Sequence, residues 1–530
     1  MNKSMKQLTQ FAACAIAALS VVACSSEDSA QQDNAKQNTA KGVATFDGSQ
    51  PGDDTRALTR TTATYTLGGD AKVFWSSADK IFVQDDANTF HQSNAANLYN
   101  PSNKAKATFS LASGSFTLNN REVRYTGENG TDANTVTIAS TQTQTTANDF
   151  SHLGTSGDCG TATATGSNGN YTFTLNHKAS YLCFVPRCMN TDLGPNIKLT
   201  KIKVTADQPI AGKYDFSTGS LAQKAGETYS NTVTLNTSDF SLNTTTSSLA
   251  TNGAYMVVAP GTYNFTITYT IKDPATNVEC DIVKTVSSYN CQEGKLNDIT
   301  AWIDKDLDDY SSNQYYMWDA KKSYWYQYEW NSANKFQPVL DLTSDSHYPQ
   351  NNLDERWYRE NSAVPFTRAD FSAKDCPNIN EMLWYCMNGN PHWDESQAWI
   401  SMGHLFKTGM WFKKSNYISG FSDSNYGSED YRTSTIPWNR FENTAINIGT
   451  PTNKNEYFFL PSLGACGGGV SSGAAFNLGV FYAIGVSGHY WSSTPSQFRP
   501  TYSYFMMFTN AGIWVDNTPR SNGFTLWTKE

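Results

Sequence analysis

The sequence predicts a mainly β protein: two antiparallel β-sandwich domains in succession, followed by an α+β domain. Three observations lead there. From about residue 61 to 304, short β-branched and aromatic runs alternate with polar residues at period two and are cut by Gly, Asn, Asp and Pro. Few segments of that span carry a helical period. Tryptophan usage then changes abruptly, with twelve of the fourteen at Trp318 or later, which marks a domain of different architecture.

The N-terminus comes first. Lys3 and Lys6 precede an apolar run from Phe11 to Ala23 that is too short to span a bilayer and has the layout of an export signal. It ends in "VVAC", which resembles the lipobox of bacterial lipoproteins. That resemblance implies a signal peptide over 1–23 and a lipid-bearing Cys24 as the first mature residue; ordinary secretory cleavage near Ala23 is the alternative. Residues 24–60 are polar and nearly devoid of large apolar side chains until Phe46, so they are expected to be a tether or pro-segment. Arg56 and Arg60, in "TRALTR", suit a trypsin-like protease and are candidate processing sites; ordinary solvated charge is the competing reading.

The segments "VRYTGENGTDANTVTIAS", "YTFTLNHKASYLCFVP", "LTKIKVTA", "AYMVVAPGTYNFTITYTIKD" and "CDIVKTVSSYN" alternate as half-buried strands should. Their span suits two sandwiches, 61–195 and 196–304, dividing near Asn190 to Asn196. Of ten cysteines, eight remain beyond Cys14 and Cys24, too sparse for a disulfide framework in so long a chain. Cys280 and Cys291 flank a predicted hairpin and are the candidate disulfide. No CxxC suggests a zinc knuckle or a thioredoxin-type site.

Residues 305–335 form an aromatic connection, part of which is expected to pack. In the last domain, 336–530, "CPNINEMLWYCMNG" (376–389) reads as a helix. Asn378 and Glu381 have capping-box spacing, Ile379, Met382, Leu383, Cys386 and Met387 make the apolar face, and Gly389 stops it. "YFFLPSLGACGG", "GHYWSST", "TYSYFMMFTNAGIWV" and "GFTLW" read as strands with their turns, "TNAG" (509–512) closing a hairpin.

The charge balance, 39 Lys and Arg against 48 Asp and Glu, draws in no nucleic acid. His347, His392, His404 and His489 with Asp394 could supply metal ligands, but no pair has i, i+4 spacing. Ser487 in "GVSGH" resembles a nucleophile elbow without its final glycine, and "GACGGGVSSG" lacks the Lys-Ser/Thr of a phosphate loop. Neither cofactor nor metal is expected. Aromatic side chains remain as candidate ligand contacts, in particular Trp393, Trp411, Trp438 and Tyr490, since exposed rings stack on sugars or anchor protein partners. Trp491 is expected in the core, leaving His489 and Tyr490 to the turn and the outer face.

Five features taken in order, the lipobox, "WSSADKIFV", "FTLNHKASYLCFV", "IAGKYDFSTGSL" and "CQEGKLNDITAWI", resemble the fimbrillin-like lipoproteins of Bacteroidetes. That family implies two transthyretin-like sandwiches, an outer-membrane lipid anchor, trimming by an arginine-specific protease, and assembly with other pilus subunits by β-strand addition. "CPNINEMLWY", "YFFLPSLG", "GHYWSST" and "RSNGFTLW" resemble the major-paralogue domain of Fibrobacter, which implies a C-type-lectin-like fold related to formylglycine-generating enzymes. Together they imply a non-enzymatic tip or accessory adhesin of the pilus, presenting its last domain to a glycan or protein receptor. Two alternatives stay open: a surface glycan-binding lipoprotein that does not polymerise, and a metal- or thiol-dependent enzyme using Cys376, Cys386 and Cys466. The calcium-sugar triplets of C-type lectins are absent.

Overall fold

Strands that alternate small or aromatic residues with Thr, Ser and Asn have one face to bury, and the sheets pack so as to bury it. The computed structural model describes residues 43–50, 65–68, 74–100, 103–360, 368–434, 440–467, 470–471, 474–475 and 478–528. All of these fall within one contact unit, Gly42–Glu530. The protein is mainly β, built from several packed sheets that group into three lobes.

The early strands are β1 (Ala44–Ser49), β2 (Phe82–Gln84), β3 (Phe90–Gln92), β4 (Asn97–Asn100), β5 (Asn103–Leu111), β6 (Asn120–Tyr125), β7 (Thr135–Ile138), β8 (Thr141–Gln144), β9 (Gly160–Ser167), β10 (Asn170–Thr174) and β11 (Asn176–His177). The first lobe is a sheet of order β3-β2-β6-β9-β10-β1-β5-β4, with β11 beside β9. Its inner face closes over Trp75, Phe109, Phe116, Tyr125, Tyr171 and Phe173. Residues 44–49, expected within the tether of 24–60, form an interior strand, because Ala44 and Phe46 supply an inward face that the aromatic core covers.

The second lobe adds β12 (Ser180–Arg187), β13 (Lys198–Ala206), β14 (Ala211–Asp215), β15 (Tyr229–Ser230), β16 (Thr232–Ser241), β17 (Ala254–Val258), β18 (Gly261–Asp273), β19 (Val278–Cys291) and β20 (Leu296–Trp302). Its sheets run β17-β12-β20, β19-β18-β13-β16-β8 and β15-β14-β7 around a core of Leu182, Phe184, Ile202, Val204, Ile267 and Tyr269. Strand β7 pairs with β14, and β8 runs parallel to β16, so the chain enters the second lobe, returns for β9 to β11, and enters it again. The expected division near residues 190–196 therefore falls inside the second lobe: β12 already belongs there, paired with β17 and β20. Pairing between strands so far apart in sequence leaves no mark on local alternation.

The expected Cys280–Cys291 disulfide is not formed. Both residues sit on one strand, β19, near its two ends, Cys280 opposite Ile271 and Cys291 opposite Gly261 of β18. Eleven residues of extended chain separate them by roughly 36 Å, where a bridge needs Cα atoms within about 7 Å. Both thiols are free and buried, and burial pushes each up to about 12.

The C-terminal lobe begins earlier than residue 336. Tyr315, Met317, Trp318, Tyr324 and Trp325, in the expected connection, are fully buried in it, and Tyr315–Tyr316 pairs with Phe524–Thr525. One sheet contains His392–Ser401, His404–Lys413 and Tyr457–Pro461; the other is centred on Leu463–Cys466, Gly488–Pro495, Tyr502–Thr509 and Gly512–Pro519. The helix Ile379–Asn388 packs against the second sheet and carries the capping box read from the sequence, with Asn378 accepting from the Asn380 and Glu381 amides. Tyr385 is buried on its inner face, whereas Met387 is 37% exposed. Asn510–Ala511 is the two-residue turn of the expected hairpin, with Thr509 opposite Gly512. A clamp joins this lobe to the second: Asp273 Oδ2 lies 2.9 Å from His404 Nδ1 and accepts the Leu405 amide at 3.1 Å.

Candidate functional site

The feature with the clearest functional geometry is the slot that β1 fills. β1 lies parallel to β10, with Phe46 opposite Tyr171, and antiparallel to β5, with Phe46 also opposite Phe109. The two flanking strands are thus held two strand spacings apart, about 9.5 Å, and β1 supplies the ladder on both sides. The ends are tied down as well: the Val43 amide donates to Leu111 O at 2.7 Å and the Gln50 amide to Ala105 O at 3.1 Å. The buried Gln50 places Oε1 2.9 Å from His177 Nε2, and His177 Nδ1 lies 2.8 Å from Asp158 Oδ1.

Alternation divides the strand into two faces. Inward, Phe46 is fully buried, stacked on Tyr171 at 4.7 Å between ring centroids and edge-on to Phe116 at 5.6 Å. Gly48 lies against the Phe173 ring so closely that a Cβ would sit 2.5 Å from its Cζ. Outward, Asp47 accepts from Thr108 Oγ1 at 2.6 Å, and Ser49 Oγ is 2.9 Å from Thr174 Oγ1. The outer face forms a groove of about 620 Å³ whose lining includes Asp47, Ser49, Thr108, Thr163, Thr165, Thr172 and Thr174, with Tyr99, 81% exposed, beside them. Among the sequence candidates none lies on this strand. The available signal was the alternation of Ala44, Phe46 and Gly48 with Thr45, Asp47 and Ser49, too short and too poor in apolar residues to stand out.

The sequence candidates are distributed otherwise. Cys24, Arg56, Arg60 and Trp438 lie outside the described residues. Trp393, Trp411 and Tyr490 are buried instead of forming an exposed platform, and each polar tip has a partner inside the lobe. Trp393 Nε1 donates to Glu395 and Trp411 Nε1 to Asp394, both at 3.0 Å, while Tyr490 donates to the Pro461 carbonyl at 2.6 Å. The turn-and-surface role expected for His489 and Tyr490 is likewise corrected: every residue of Gly488–Pro495 is buried.

No group of three or more His, Cys, Asp or Glu placed to hold a metal occurs among the described residues. His347 faces Asp345 and His404 faces Asp273, each in its own local pair. Ser487 Oγ does lie 2.8 Å from His489 Nε2, but His489 packs among Tyr482, Phe505 and Phe524, and burial lowers it to about 3. Cys376, Cys386 and Cys466 are buried and pushed up to about 12, the state of inert core thiols. A second basin of about 590 Å³ opens at the N-terminus of the helix, where Ser493 and Thr494 meet Arg368, Lys374, Asp430 and Arg432. Arg432 chelates Asp430 there and holds its carboxyl at about 2.

No family model matches the chain, and no curated protein matches it. Among solved structures it is similar to a candidate cell adhesion protein of Bacteroides ovatus, with 14% identity over 49% of this chain and 93% of that one and a TM-score of 0.31. Candidate polysaccharide-binding proteins of Bacteroides thetaiotaomicron are similar at 7% identity, over 48% of this chain and 90% of that one, with a TM-score of 0.22. A fimbrial protein of Bacteroides ovatus is similar at 13% identity, over 53% of each chain, with a TM-score of 0.21. Likenesses this loose fix neither fold nor activity.

Proposed function

We propose that the protein is a non-enzymatic, outer-membrane-anchored pilus subunit of fimbrillin type, at a tip or accessory position, assembling by strand addition and presenting a C-type-lectin-like domain to a glycan or protein receptor. The observation that carries this reading is β1, an interior strand that precedes Arg56 and Arg60 in sequence. A cut after either arginine severs β1 covalently from the sheet that holds it. Its departure exposes unpaired backbone groups of β5 and β10 above an aromatic floor, the arrangement an extended partner segment needs. The terminal position is supported by β20, which runs beside β12 over its whole length and leads on into the C-terminal lobe, so the second sandwich has no loose final strand to lend.

The test is the N-terminus of the subunit in isolated filaments, read by mass spectrometry. It should begin at Ala57 or Thr61, and the Arg56→Ala/Arg60→Ala double variant should be missing from filaments. Filament subunits that still begin at Cys24 would overturn the reading.

A second reading, a surface lipoprotein that binds glycans without polymerising, is favoured by the hydroxyl-lined groove with its exposed Tyr99. It predicts glycan-array binding by the full chain that Tyr99→Ala lowers about tenfold, as loss of one stacking ring should.

A further inference from the structure

Resting on the strand-addition reading, we infer that the β5–β10 slot selects its occupant by a short residue pattern: an extended segment with an aromatic residue and, two positions later, a glycine. The partner is thus a segment reading aromatic–x–Gly, of which Phe46-Asp47-Gly48 is the resident copy.

The aromatic position follows from the pocket. Phe46 has no exposed surface and lies flat on Tyr171, the two ring planes 7° apart, with Phe116 edge-on. A smaller side chain would leave a void between rings that cannot collapse onto it. The glycine position follows from the opposite constraint. A Cβ on residue 48 would lie 2.5 Å from Phe173 Cζ, 2.9 Å from Phe173 Cε1 and 3.1 Å from Phe109 Cε2. Those rings have little room to retreat, since Phe109 is fully buried, Phe173 is 5% exposed, and Trp75 is edge-on to both, at 4.9 and 6.2 Å.

Register makes the two positions a pair. A slip of one residue would turn the aromatic ring to the solvent face, and a slip of two would drive it into the glycine site. The outward positions are permissive by contrast. Asp47, between the two selected residues, is exposed, and its bond to Thr108 is made at the surface.

The experiment uses the full-length chain nicked by limited trypsin treatment, with mass spectrometry confirming a cut only at Arg56 or Arg60. A fluorescent peptide spanning residues 42–51 is then added, alongside Phe46→Ala, Gly48→Val and Thr45→Ser versions. The parent peptide should displace the resident strand and bind. Phe46→Ala and Gly48→Val should each weaken binding by about tenfold or more, the effect expected of a core cavity and of overpacking. Thr45→Ser should stay within about twofold of the parent, because that side chain faces outward. If the Gly48→Val or Phe46→Ala peptide binds as well as the parent, the pattern is overturned while strand addition stands. If the parent never enters and the resident fragment never leaves, strand addition fails, and the pattern with it.

Discussion

β1 and the strand Gly488–Pro495 are both interior strands, and both carry a glycine pressed under a phenylalanine ring, Gly48 beneath Phe173 and Gly488 beneath Phe508. They differ in what covers their other face. β1 has one buried side, while Asp47 on its outer side is exposed. All eight residues of Gly488–Pro495 are buried, with Tyr490 in the core that holds the helix and Trp491 in a separate core with Trp318 and Phe524. Its polar side chains are enlisted too: Ser492 Oγ donates to Pro377 O at 2.9 Å, and Thr494 Oγ1 accepts the Ile379 amide at 3.1 Å at the start of the helix. A strand held on one face can be exchanged for another of matching pattern. A strand sandwiched between two cores ties together the elements on both sides and has no substitute.

Trp491→Ala puts the largest strain on that contrast. Emptying a fully buried indole whose Nε1 donates to Tyr316 O at 2.8 Å should cost about 3–5 kcal/mol. Hydrogen exchange should show protection falling across residues 315–528 while β5, β9 and β10 stay protected. Equal loss in both places would mean that the lobes unfold as one unit and that the two strands do not differ as described.

What could be read from the sequence was local. The capping box and the Asn510–Ala511 turn are written in adjacent residues, and both are found in the structure. Tyr490 and Trp491 do point to opposite faces, as alternation requires, but whether a face is covered depends on elements far away in the chain, so local pattern does not separate the buried Tyr490, Trp393 and Trp411 from surface rings. Cys280 and Cys291, which the sequence pattern reads as flanking a hairpin, lie on one strand instead, because β19 runs longer than strands usually do. β1 was hidden by its own function-like features. Three outward polar residues and an inward glycine leave Phe46 as its one large apolar side chain, and only the aromatic floor from β5 and β10 shows why that suffices.

The clamp between the second and C-terminal lobes gives a prediction of intermediate size. Burial alone would raise Asp273, but hydrogen bonding to His404 and the Leu405 amide outweighs it and holds the carboxyl below its ordinary 3.8. A folded pKa below the unfolded one means that the contribution is complete above the unfolded value near 3.9 and is lost as pH falls through the lower, folded value. Asp273→Asn should therefore cost on the order of 1.5–3 kcal/mol at neutral pH, the worth of hydrogen bonds to a charged group. The stabilities of the two proteins by chemical denaturation should begin to converge only as pH falls through 3.8 and meet below the folded value. A difference that persists unchanged in strong acid would show that the charge is not what holds the lobes.

The smallest effect is expected on the exposed side of β1, and its smallness is the point. Thr108→Val keeps shape and β-propensity while deleting the hydroxyl that donates to Asp47 at 2.6 Å. Asp47 is exposed, so water can take the place of the lost donor, and the net cost should be about 0.5 kcal/mol. The same substitution should leave binding of the 42–51 peptide to the nicked chain within about twofold, a change of about 0.4 kcal/mol. A loss above about 1.5 kcal/mol in either measurement would place the strand's hold on its outer face. Selection by the aromatic–x–glycine pair could not then be dominant, because a segment lacking Phe46 and Gly48 but keeping the outer polar residues would still be retained.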